Sequence, residues 1–342
     1  MRNDRTEQIH GYTPDDIARL TEEFAVTVIV PAYNCADTLP RTLESLLAQS
    51  SDDFAVLVVD DGSDEDLLEL LPSDRRFLGY RMPENRGYAA VTNQALDMIR
   101  SPWTIFVDGD DTLAPDCLEV LQTRGQAEGS DVVVLPLTII EPSGKTSIGP
   151  FATVKSPLPA KDALDLFVAG RLIFNQHLLF RPNHVRAKKN TYSDLSFTVN
   201  LLSSAEQVSF ENRPLYNYFL HEGSVTAQLR PTVWDMFSVL DDVEDALSQI
   251  YSPSEASAAL NRMRWMQMSY MVSKAAGDTR SPMLRSEVYA WCRSKVRLSH
   301  VVDAMRARQA GKGLSLALAR LSPSLHGHAY QLRTRLKSSS RE

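Results

Sequence analysis

The chain has 342 residues, of which 43% are hydrophobic and 23% charged, and it carries a net charge of −7. This is ordinary globular composition, with enough apolar residues for a sizeable core. No stretch approaches the roughly 18 consecutive apolar residues of a membrane span, and residues 1–24 are too polar for a secretory signal. Three cysteines, Cys35, Cys117 and Cys292, are far apart, which predicts reduced thiols in a cytoplasmic protein.

Strands and helices alternate over the first part of the chain. A cap signal at Thr13 and Pro14 predicts a helical extension within residues 1–24. Apolar stretches predict buried strands at residues 26–30, 54–59, 77–81 and 103–107, with helices at 38–47, 64–71 and 89–99 between them. This alternation is typical of an α/β fold with a mostly parallel sheet and helices on both faces.

The pattern changes after Gly129. The remaining elements are predicted as a strand at 132–135, a hairpin at 137–151, a helix at 161–169, a strand at 172–180, a helix at 192–202, strands at 207–210 and 215–220, and helices at 231–250, 253–276, 283–309 and 313–321. The serine-rich end, residues 336–342, is predicted to be disordered. We therefore divide the chain into the extension 1–24, an α/β domain 25–228 with halves 25–125 and 126–228, and a helical region 229–342.

Three carboxylates follow the fourth predicted strand, in the sequence Asp108-Gly109-Asp110-Asp111. Residues 112–116 are predicted to be a turn and then the start of a helix. Like charges this close repel unless a cation neutralises them, and hard carboxylate oxygens suit Mg²⁺ or Mn²⁺. A solvated acidic turn is the alternative interpretation.

Each of the other predicted strands also ends in a polar loop, namely at residues 31–34, 60–63 and 85–87. The carboxyl ends of parallel strands share one edge of the sheet, where open α/β sheets bind their ligands. We therefore expect the acidic turn and these three loops to converge on a ligand of nucleotide size.

In their order and spacing, these stretches resemble a family 2 glycosyltransferase of the GT-A fold. The stretches that carry the resemblance are Val26–Asn34, Leu43–Gln49, Val58–Ser63, Asn85–Gly87, Thr92-Asn93 and Phe106–Asp111. Later, Tyr192–Phe197 lies where many members have a Glu-Asp pair at a helix start, with Ser193 here in place of the Glu. Tyr216–Tyr218 followed by His221 looks like the closing motif of bacterial polysaccharide and teichoic-acid members.

The resemblance implies a nucleotide-sugar donor, usually UDP-linked, and a divalent metal, Mn²⁺ or Mg²⁺. The implied metal ligands are Asp110, Asp108 and His221. The implied donor-binding residues are Pro31, Ala32, Tyr33, Asp60, Asp61, Asn85, Gly87, Asn93, Asp108, Asp110 and His221. Many relatives have Ala-Arg-Asn where this chain has Val91-Thr92-Asn93, so Arg86 is the candidate for the missing arginine.

The implied reaction is an inverting displacement, in which an acceptor hydroxyl attacks the anomeric carbon of the donor sugar. The hydroxyl is a weak nucleophile and needs a general base. Asp194, at a predicted helix start, is the candidate base, and a helix cap is its alternative role. Glu206 and Glu211 are weaker candidates. The expected acceptor is a glycan, a polyol-phosphate or a lipid-linked molecule in cell-surface polysaccharide synthesis, with candidate contacts at Asp111, Gln176, His177 and Arg181. The alternative role of Asp111 is that of a second metal ligand.

Three other functions fit parts of the sequence. Asp108 could be the nucleophile of a haloacid-dehalogenase-like phosphatase, but that motif usually follows the first strand and here three strands precede it. A sugar-nucleotide pyrophosphorylase needs a glycine-rich loop, which residues 31–34 lack. A non-catalytic nucleotide-sugar-binding module would share the fold, and an assay separates it from an enzyme.

The positive charge is concentrated at the carboxyl end. Residues 295–342 contain ten basic and two acidic residues, a net charge of +8 that leaves −15 on residues 1–294. One interpretation is a peripheral contact with the inner face of the cell membrane, and the other is a solvated helix face or a frayed tail. We expect no nucleic-acid partner, since aromatic residues are not interleaved with the basic ones.

Overall fold

The computed structural model describes residues 12–149, 151, 154–172, 177–182, 185–188, 192–221, 229–278 and 280–339. This part of the chain divides into two compact units, with the boundary between Leu220 and His221. The first unit is a mixed α/β structure, and the described part of the second unit is helical.

The first unit contains strands and helices in alternation. Its strands are β1 Val26–Ala32, β2 Phe54–Asp60, β3 Phe77–Arg81, β4 Trp103–Phe106, β5 Thr112–Leu113, β6 Val132–Val134, β7 Leu137–Ile140, β8 Thr146–Ile148, β9 Leu158–Pro159, β10 Leu179–Phe180, β11 Gln207–Phe210 and β12 Tyr216–Phe219. Its helices are α1 Pro14–Thr21, α2 Leu39–Leu47, α3 Tyr88–Met98, α4 Cys117–Glu128, α5 Ala160–Val168 and α6 Ser193–Ser204, with a 3₁₀ helix at Leu67–Leu70.

The main sheet has eight strands in the order β3-β2-β1-β4-β10-β6-β11-β9. Strands β1 to β4 are parallel to one another, whereas β10 runs antiparallel to both of its neighbours, β4 and β6. All seven residues of β2 are buried, as expected where both faces of a parallel sheet are covered. The predicted fold class is thus confirmed, and the sheet order places β1 and β4 side by side in its middle.

A second sheet of four strands, β5-β12-β7-β8, lies beside the acidic turn. Its strand β5 was not predicted, because Thr112 and Leu113 follow the carboxylates directly and were assigned to a turn and a helix start. The two residues pair antiparallel with β12 instead, and helix α4 begins only at Cys117. This pairing connects the acidic turn to a strand that lies about one hundred residues later in the sequence.

Two other predictions for the first unit need correction. The predicted helix at 64–71 is a 3₁₀ helix at Leu67–Leu70. It ends there because Pro72 restricts the preceding Leu71 to an extended conformation, with ψ at 135°. The predicted strand at 172–180 is confirmed only as β10, and residues 173–176 of that stretch lie outside the described residues.

The second unit contains six α-helices and one 3₁₀ helix within its described residues. The helices are α7 Asp235–Ile250, α8 Pro253–Gly277, α9 Pro282–Lys295, α10 Leu298–Arg306, α11 Ala310–Leu321 and α12 Pro323–Ser339, and the 3₁₀ helix is Pro231–Trp234. The single helix predicted at 283–309 is two helices, because the chain is extended at the buried Val296 and at Arg297. Helix α12 also extends into the end that was predicted to be disordered.

Among the helices that the structure describes, none is both long and apolar enough to span a bilayer.

Gly62 allows two of the sheet-edge loops to approach each other. Its φ is +70°, and a side-chain carbon at this position would lie 2.8 Å from the carbonyl carbon of Glu84 and 2.9 Å from the amide nitrogen of Asn85. Gly129 has a similar φ of +62°, but no atom lies within 4 Å of where its side chain would be. Substitutions at these two glycines therefore distinguish the cost of backbone strain, common to both, from the cost of a steric clash, which only Gly62 has.

We expect Gly62→Ala to lower the free energy of unfolding more than Gly129→Ala does. Both substitutions place an L-residue in the left-handed region, at a cost of about 1–2 kcal/mol, and only Gly62→Ala adds a clash with backbone. Urea denaturation of both variants measures the difference. Equal losses of stability would show that the loop at Glu84 moves aside without cost.

Candidate functional site

The loops after β1 and β2 are held together by hydrogen bonds. The amide of Asn34 donates to Ser63 Oγ at 2.9 Å, and the side chain of Asn34 exchanges hydrogen bonds of 2.9 and 3.1 Å with Asp64. Asn34 has a φ of 47°, in the left-handed region that asparagine tolerates. The edge of the sheet is therefore braced by the loops themselves.

Asp60 and Asp61 connect the end of β2 to neighbouring segments. Asp60 is fully buried, and its Oδ1 accepts from the amide and the hydroxyl of Ser63 at 2.9 and 2.6 Å. Its Oδ2 lies 3.0 Å from Arg81 Nη1. Asp61 accepts the amides of Arg86 and Gly87 at 2.8 and 2.7 Å, next to the amino end of α3, where a carboxylate is favourable.

Asp108 lies at the centre of the acidic turn. Its carboxylate accepts from the hydroxyl of Tyr88 at 3.3 Å and lies 3.5 Å from Nε2 of His177. Its amide donates to the hydroxyl oxygen of Tyr216 at 3.2 Å. Burial raises the pKa of Asp108 and the nearby Asp110 carboxylate adds to this, whereas His177 and the Tyr88 hydroxyl oppose it.

Asp111 is fully buried and has partners for both of its oxygens. Oδ2 accepts from the hydroxyl of Tyr216 at 2.7 Å, and Oδ1 accepts from the amide of Phe219 at 2.8 Å. Burial raises the pKa of Asp111 to about 8, and the charge of Asp108 contributes to the shift. The acidic turn therefore holds carboxyl groups that a nearby cation would stabilise in their charged form.

His177 completes a cluster at this turn. Its ring is buried, its Nδ1 lies 3.3 Å from the carbonyl oxygen of Phe106, and its centroid is 4.4 Å from that of Tyr216. One ligand atom each of Asp108, Asp111 and His177 lies within 4.8 Å of the others. Two carboxylates and an imidazole suit Mn²⁺ well, so the residues present fit a divalent metal.

Asp194 lies in the first turn of α6 and remains exposed to solvent. The surrounding protein nevertheless raises its pKa by desolvation, against the effect of the Leu195 amide and of His177. The charge of Asp194 in turn acts on Tyr88, which connects it electrostatically to the acidic turn. The N-cap residue of α6 is Tyr192, so Asp194 does not hold the position of a cap.

Residues 27–169 match the family model "Glycosyl transferase family 2". Over this stretch, 143 of its 342 residues, the chain is similar to family 2 glycosyltransferases. The match includes the acidic turn and favours a glycosyltransferase over the phosphatase interpretation of Asp108.

Two relatives of this chain are named as glycosyltransferases. The chain is 26% identical over 232 residues to a cholesterol galactosyltransferase of Borreliella burgdorferi, an alignment that covers 61% of this chain and 64% of the relative. It is 27% identical over 207 residues to the poly(ribitol-phosphate) β-N-acetylglucosaminyltransferase TarP of Staphylococcus aureus, which covers 57% of this chain and 62% of TarP. The chain thus spans less than two thirds of either relative.

A solved structure has the same fold. Residues 1–349 of S. aureus TarS, crystallised in complex with UDP-GlcNAc, superpose with a TM-score of 0.65 over 86% of this chain and 90% of that one, at 16% sequence identity.

Several predicted donor-binding residues lie at the expected edge of the sheet, at or after the ends of β1 to β4. Pro31 and Ala32 belong to β1 and not to a loop, since Ala32 pairs with Asp60. Tyr33 and Asn85 are exposed. The side-chain amide of Asn93 exchanges hydrogen bonds of 2.7 and 2.8 Å with the backbone of Ala187, which gives it a bracing role. Their contacts with a donor remain predictions.

The structure groups the predicted metal and acceptor residues differently from the sequence. The cluster contains Asp108, a predicted metal ligand, and Asp111, predicted as a second ligand or an acceptor contact. It also contains His177, which was predicted only as an acceptor contact. Asp110 and His221 remain predicted ligands, and the Asp110 carbonyl accepts from Arg41 at 2.6 Å. Gln176 lies outside the described residues.

Arg181 is separated from the acidic turn. Because β10 runs antiparallel to β4, its start places His177 near Phe106, and its end places Arg181 near Trp103, the first residue of β4. The Arg181 guanidinium lies 4.4 Å from the Trp103 ring and 3.7 Å from Asp131. Arg181 therefore lies at the opposite end of β4 from the acidic turn, and its contact with an acceptor stays a prediction.

Glu211, one of the two weaker candidates for the general base, forms ion pairs away from the acidic turn. It is buried and pairs with Arg124 at 3.1 Å and Arg213 at 3.5 Å.

Two tyrosines were given no role in the sequence analysis. Tyr216 was recognised only as part of a closing motif, although its hydroxyl connects Asp108 with Asp111. Tyr88 follows the loop at 85–87 directly and contacts Asp108. Their positions in the sequence could have indicated a role, because both residues adjoin stretches that carry the family resemblance.

We expect Tyr216→Phe to lower the free energy of unfolding by about 1–3 kcal/mol, since it leaves Asp111 Oδ2 and the Asp108 amide without this buried partner. Urea denaturation and hydrogen exchange in β5 and β12 measure the effect. Tyr33→Phe, at an exposed tyrosine of the same edge, is the control and should change stability by less than about 0.5 kcal/mol. A Tyr216→Phe variant as stable as the control would contradict the bracing role.

Proposed function

We propose that the chain is an inverting glycosyltransferase that moves a sugar from a UDP-linked donor to an acceptor hydroxyl with the help of a divalent metal. The observation that carries the proposal is the cluster of Asp108, Asp111 and His177 at the end of a strand that belongs to the stretch matching family 2. Asp194 interacts electrostatically with Tyr88 and His177 beside this cluster. This arrangement provides separate carboxylates for binding a metal and for moving a proton.

A UDP-linked donor is supported by two findings. The S. aureus structure of the same fold is a complex with UDP-GlcNAc. In this chain, the polar loops that resemble the family's donor-binding motifs are braced against each other by Asn34 and Asp61. Such bracing holds the donor site in place before the ligand arrives.

The acceptor is proposed by chemical class only. One relative is named for transfer to a ribitol-phosphate polymer and another for transfer to cholesterol, and these acceptors share a hydroxyl group. A glycan, a polyol-phosphate or a lipid-linked molecule of cell-surface polysaccharide synthesis meets this requirement. The proposed place of action is the cytoplasm.

The metal would be held by Asp108 with Asp111 and His177, and by Asp110 as the sequence implies. When bound, it supplies positive charge to the leaving diphosphate. The chain contributes Tyr88 and Tyr216, whose hydroxyls fix the orientation of the Asp108 segment and of Asp111.

Asp194 is the proposed general base. Its exposed carboxylate can meet an acceptor hydroxyl, and its raised pKa makes it a stronger base than an ordinary aspartate. The carboxylate takes the proton of the hydroxyl while the oxygen forms its bond to the anomeric carbon and the diphosphate leaves.

We expect His177→Asn and Asp108→Asn each to weaken Mn²⁺ binding at least about tenfold in calorimetric titrations with UDP present, because each removes a ligand of the cluster. His221→Ala is measured in parallel, and thermal denaturation confirms that each variant is folded. Weaker binding with His221→Ala and unchanged binding with His177→Asn would favour the ligand set implied by the sequence.

We expect Asp194→Asn to lower kcat for sugar transfer by about 10²–10⁴-fold and to leave the affinity for UDP and Mn²⁺ unchanged, because the substitution removes a proton acceptor only. Asp162→Asn is a matched control, since Asp162 is an exposed carboxylate in the first turn of α5. Transfer is measured as UDP release from UDP-GlcNAc with acceptor present. A kcat within about threefold of the wild-type value would exclude Asp194 as the base.

A further inference from the structure

Three consecutive helices of the second unit expose large apolar side chains in regular stripes. The stripes consist of Leu298, Val302 and Met305 on α10, Leu314 and Leu321 on α11, and Leu325 and Leu332 on α12, each between 39 and 77% exposed. The spacing of four and seven residues places the members of each stripe on one helix face. On α10 this face is opposite the buried His300 and Ala304.

The stripes of α10 and α11 are neighbours. A side-chain carbon at Gly313 of α11 would meet the carbonyl oxygen of Val301 at 3.2 Å and Cγ of Met305 at 3.5 Å, so the two helices cross at close range beside the exposed face of α10. Large apolar side chains exposed in rows on neighbouring helices are unusual on a protein that remains fully solvated.

The same segment is strongly cationic. Residues 280–332 contain nine lysines and arginines against two acidic residues, Glu287 and Asp303. Asp303 accepts a hydrogen bond of 3.0 Å from Asn261 on α8, so its charge is turned toward the body of the unit. The exposed surface therefore combines apolar side chains with a net positive charge.

A cavity of about 350 Å³ opens between α9 and α12 of this segment. Its polar lining includes Arg285 and Arg293 from α9 and Ser324, His328 and Gln331 from α12, and no carboxylate lines it. Within the described residues, neither arginine forms an ion pair with an acidic side chain. Two guanidinium groups with hydroxyl and amide donors are suited to a phosphate group.

We propose that the surface formed by α10, α11 and α12 docks on an anionic lipid bilayer, with the cavity between α9 and α12 holding a lipid phosphate. Apolar side chains beside lysines and arginines are the combination that binds a bilayer interface. A second copy of the chain fits less well, because a symmetric contact through this surface would place two cationic segments against each other. This membrane contact does not depend on the proposed transfer reaction.

The experiment is co-sedimentation of the full chain with vesicles of phosphatidylglycerol and phosphatidylcholine in equal amounts, and with vesicles of phosphatidylcholine alone. We expect binding to the anionic vesicles that is at least about tenfold stronger than to the neutral ones and that weakens in 0.5 M NaCl. Equal binding to both vesicles, or binding to neither, would overturn the proposal.

Two sets of substitutions test the two parts of the surface. The combination Leu298→Ser, Met305→Ser and Leu314→Ser should lower the vesicle partition coefficient at least about thirtyfold. The pair Arg285→Gln and Arg293→Gln should lower it at least about tenfold. All five side chains are exposed, so the variants should melt at the wild-type temperature.

Matched controls are available in the first unit. Ile148→Ser removes an exposed apolar side chain, and the pair Arg19→Gln and Arg75→Gln removes two exposed arginines. Neither should change vesicle binding by more than about twofold. Light scattering on the same samples identifies the alternative occupant, because a dimer that the apolar substitutions dissociate would show that the surface binds a second copy.

Discussion

The candidate site depends on one buried carboxyl group, that of Asp111. Its two oxygens accept from the Tyr216 hydroxyl and the Phe219 amide, and its carbonyl oxygen accepts from the hydroxyl of Thr42 at 2.7 Å. The residue thereby joins helix α2, the end of β4 and strand β12. A buried carboxyl group is tolerated only where its hydrogen bonds are satisfied, so the position of the acidic turn requires β12 to be in place.

The same requirement explains why part of the site could be predicted from the sequence and part could not. Asp108, Asp110 and Asp111 are adjacent in the chain and follow an apolar stretch, so the sequence places them together at the sheet edge. His177 and Tyr216 reach them only through long-range pairing, and Tyr216 lies 105 residues from Asp111. Local periodicity predicts strands, but it does not predict that β10 runs antiparallel, which brings His177 to the site and takes Arg181 away from it.

The predictions of helices and strands were correct where these elements depend on local sequence patterns. The four strands β1 to β4 are apolar stretches bounded by polar loops, and all four were predicted within a few residues. The errors occurred where short segments depend on distant partners or on single residues. β5 exists because β12 pairs with it, and the helix at 64–71 is short because of Pro72.

The contacts at the sheet edge also narrow the groups that can recognise a donor. Asp61 uses both carboxylate oxygens for the amides of Arg86 and Gly87, and Asn93 uses its amide for Ala187. These residues match family motifs in sequence, but their polar atoms hold the loops in place. Recognition of a nucleotide base would then depend more on backbone groups and on the exposed ring of Tyr33. A motif residue can thus be needed for the site because it supports a neighbouring loop, without contacting the ligand itself.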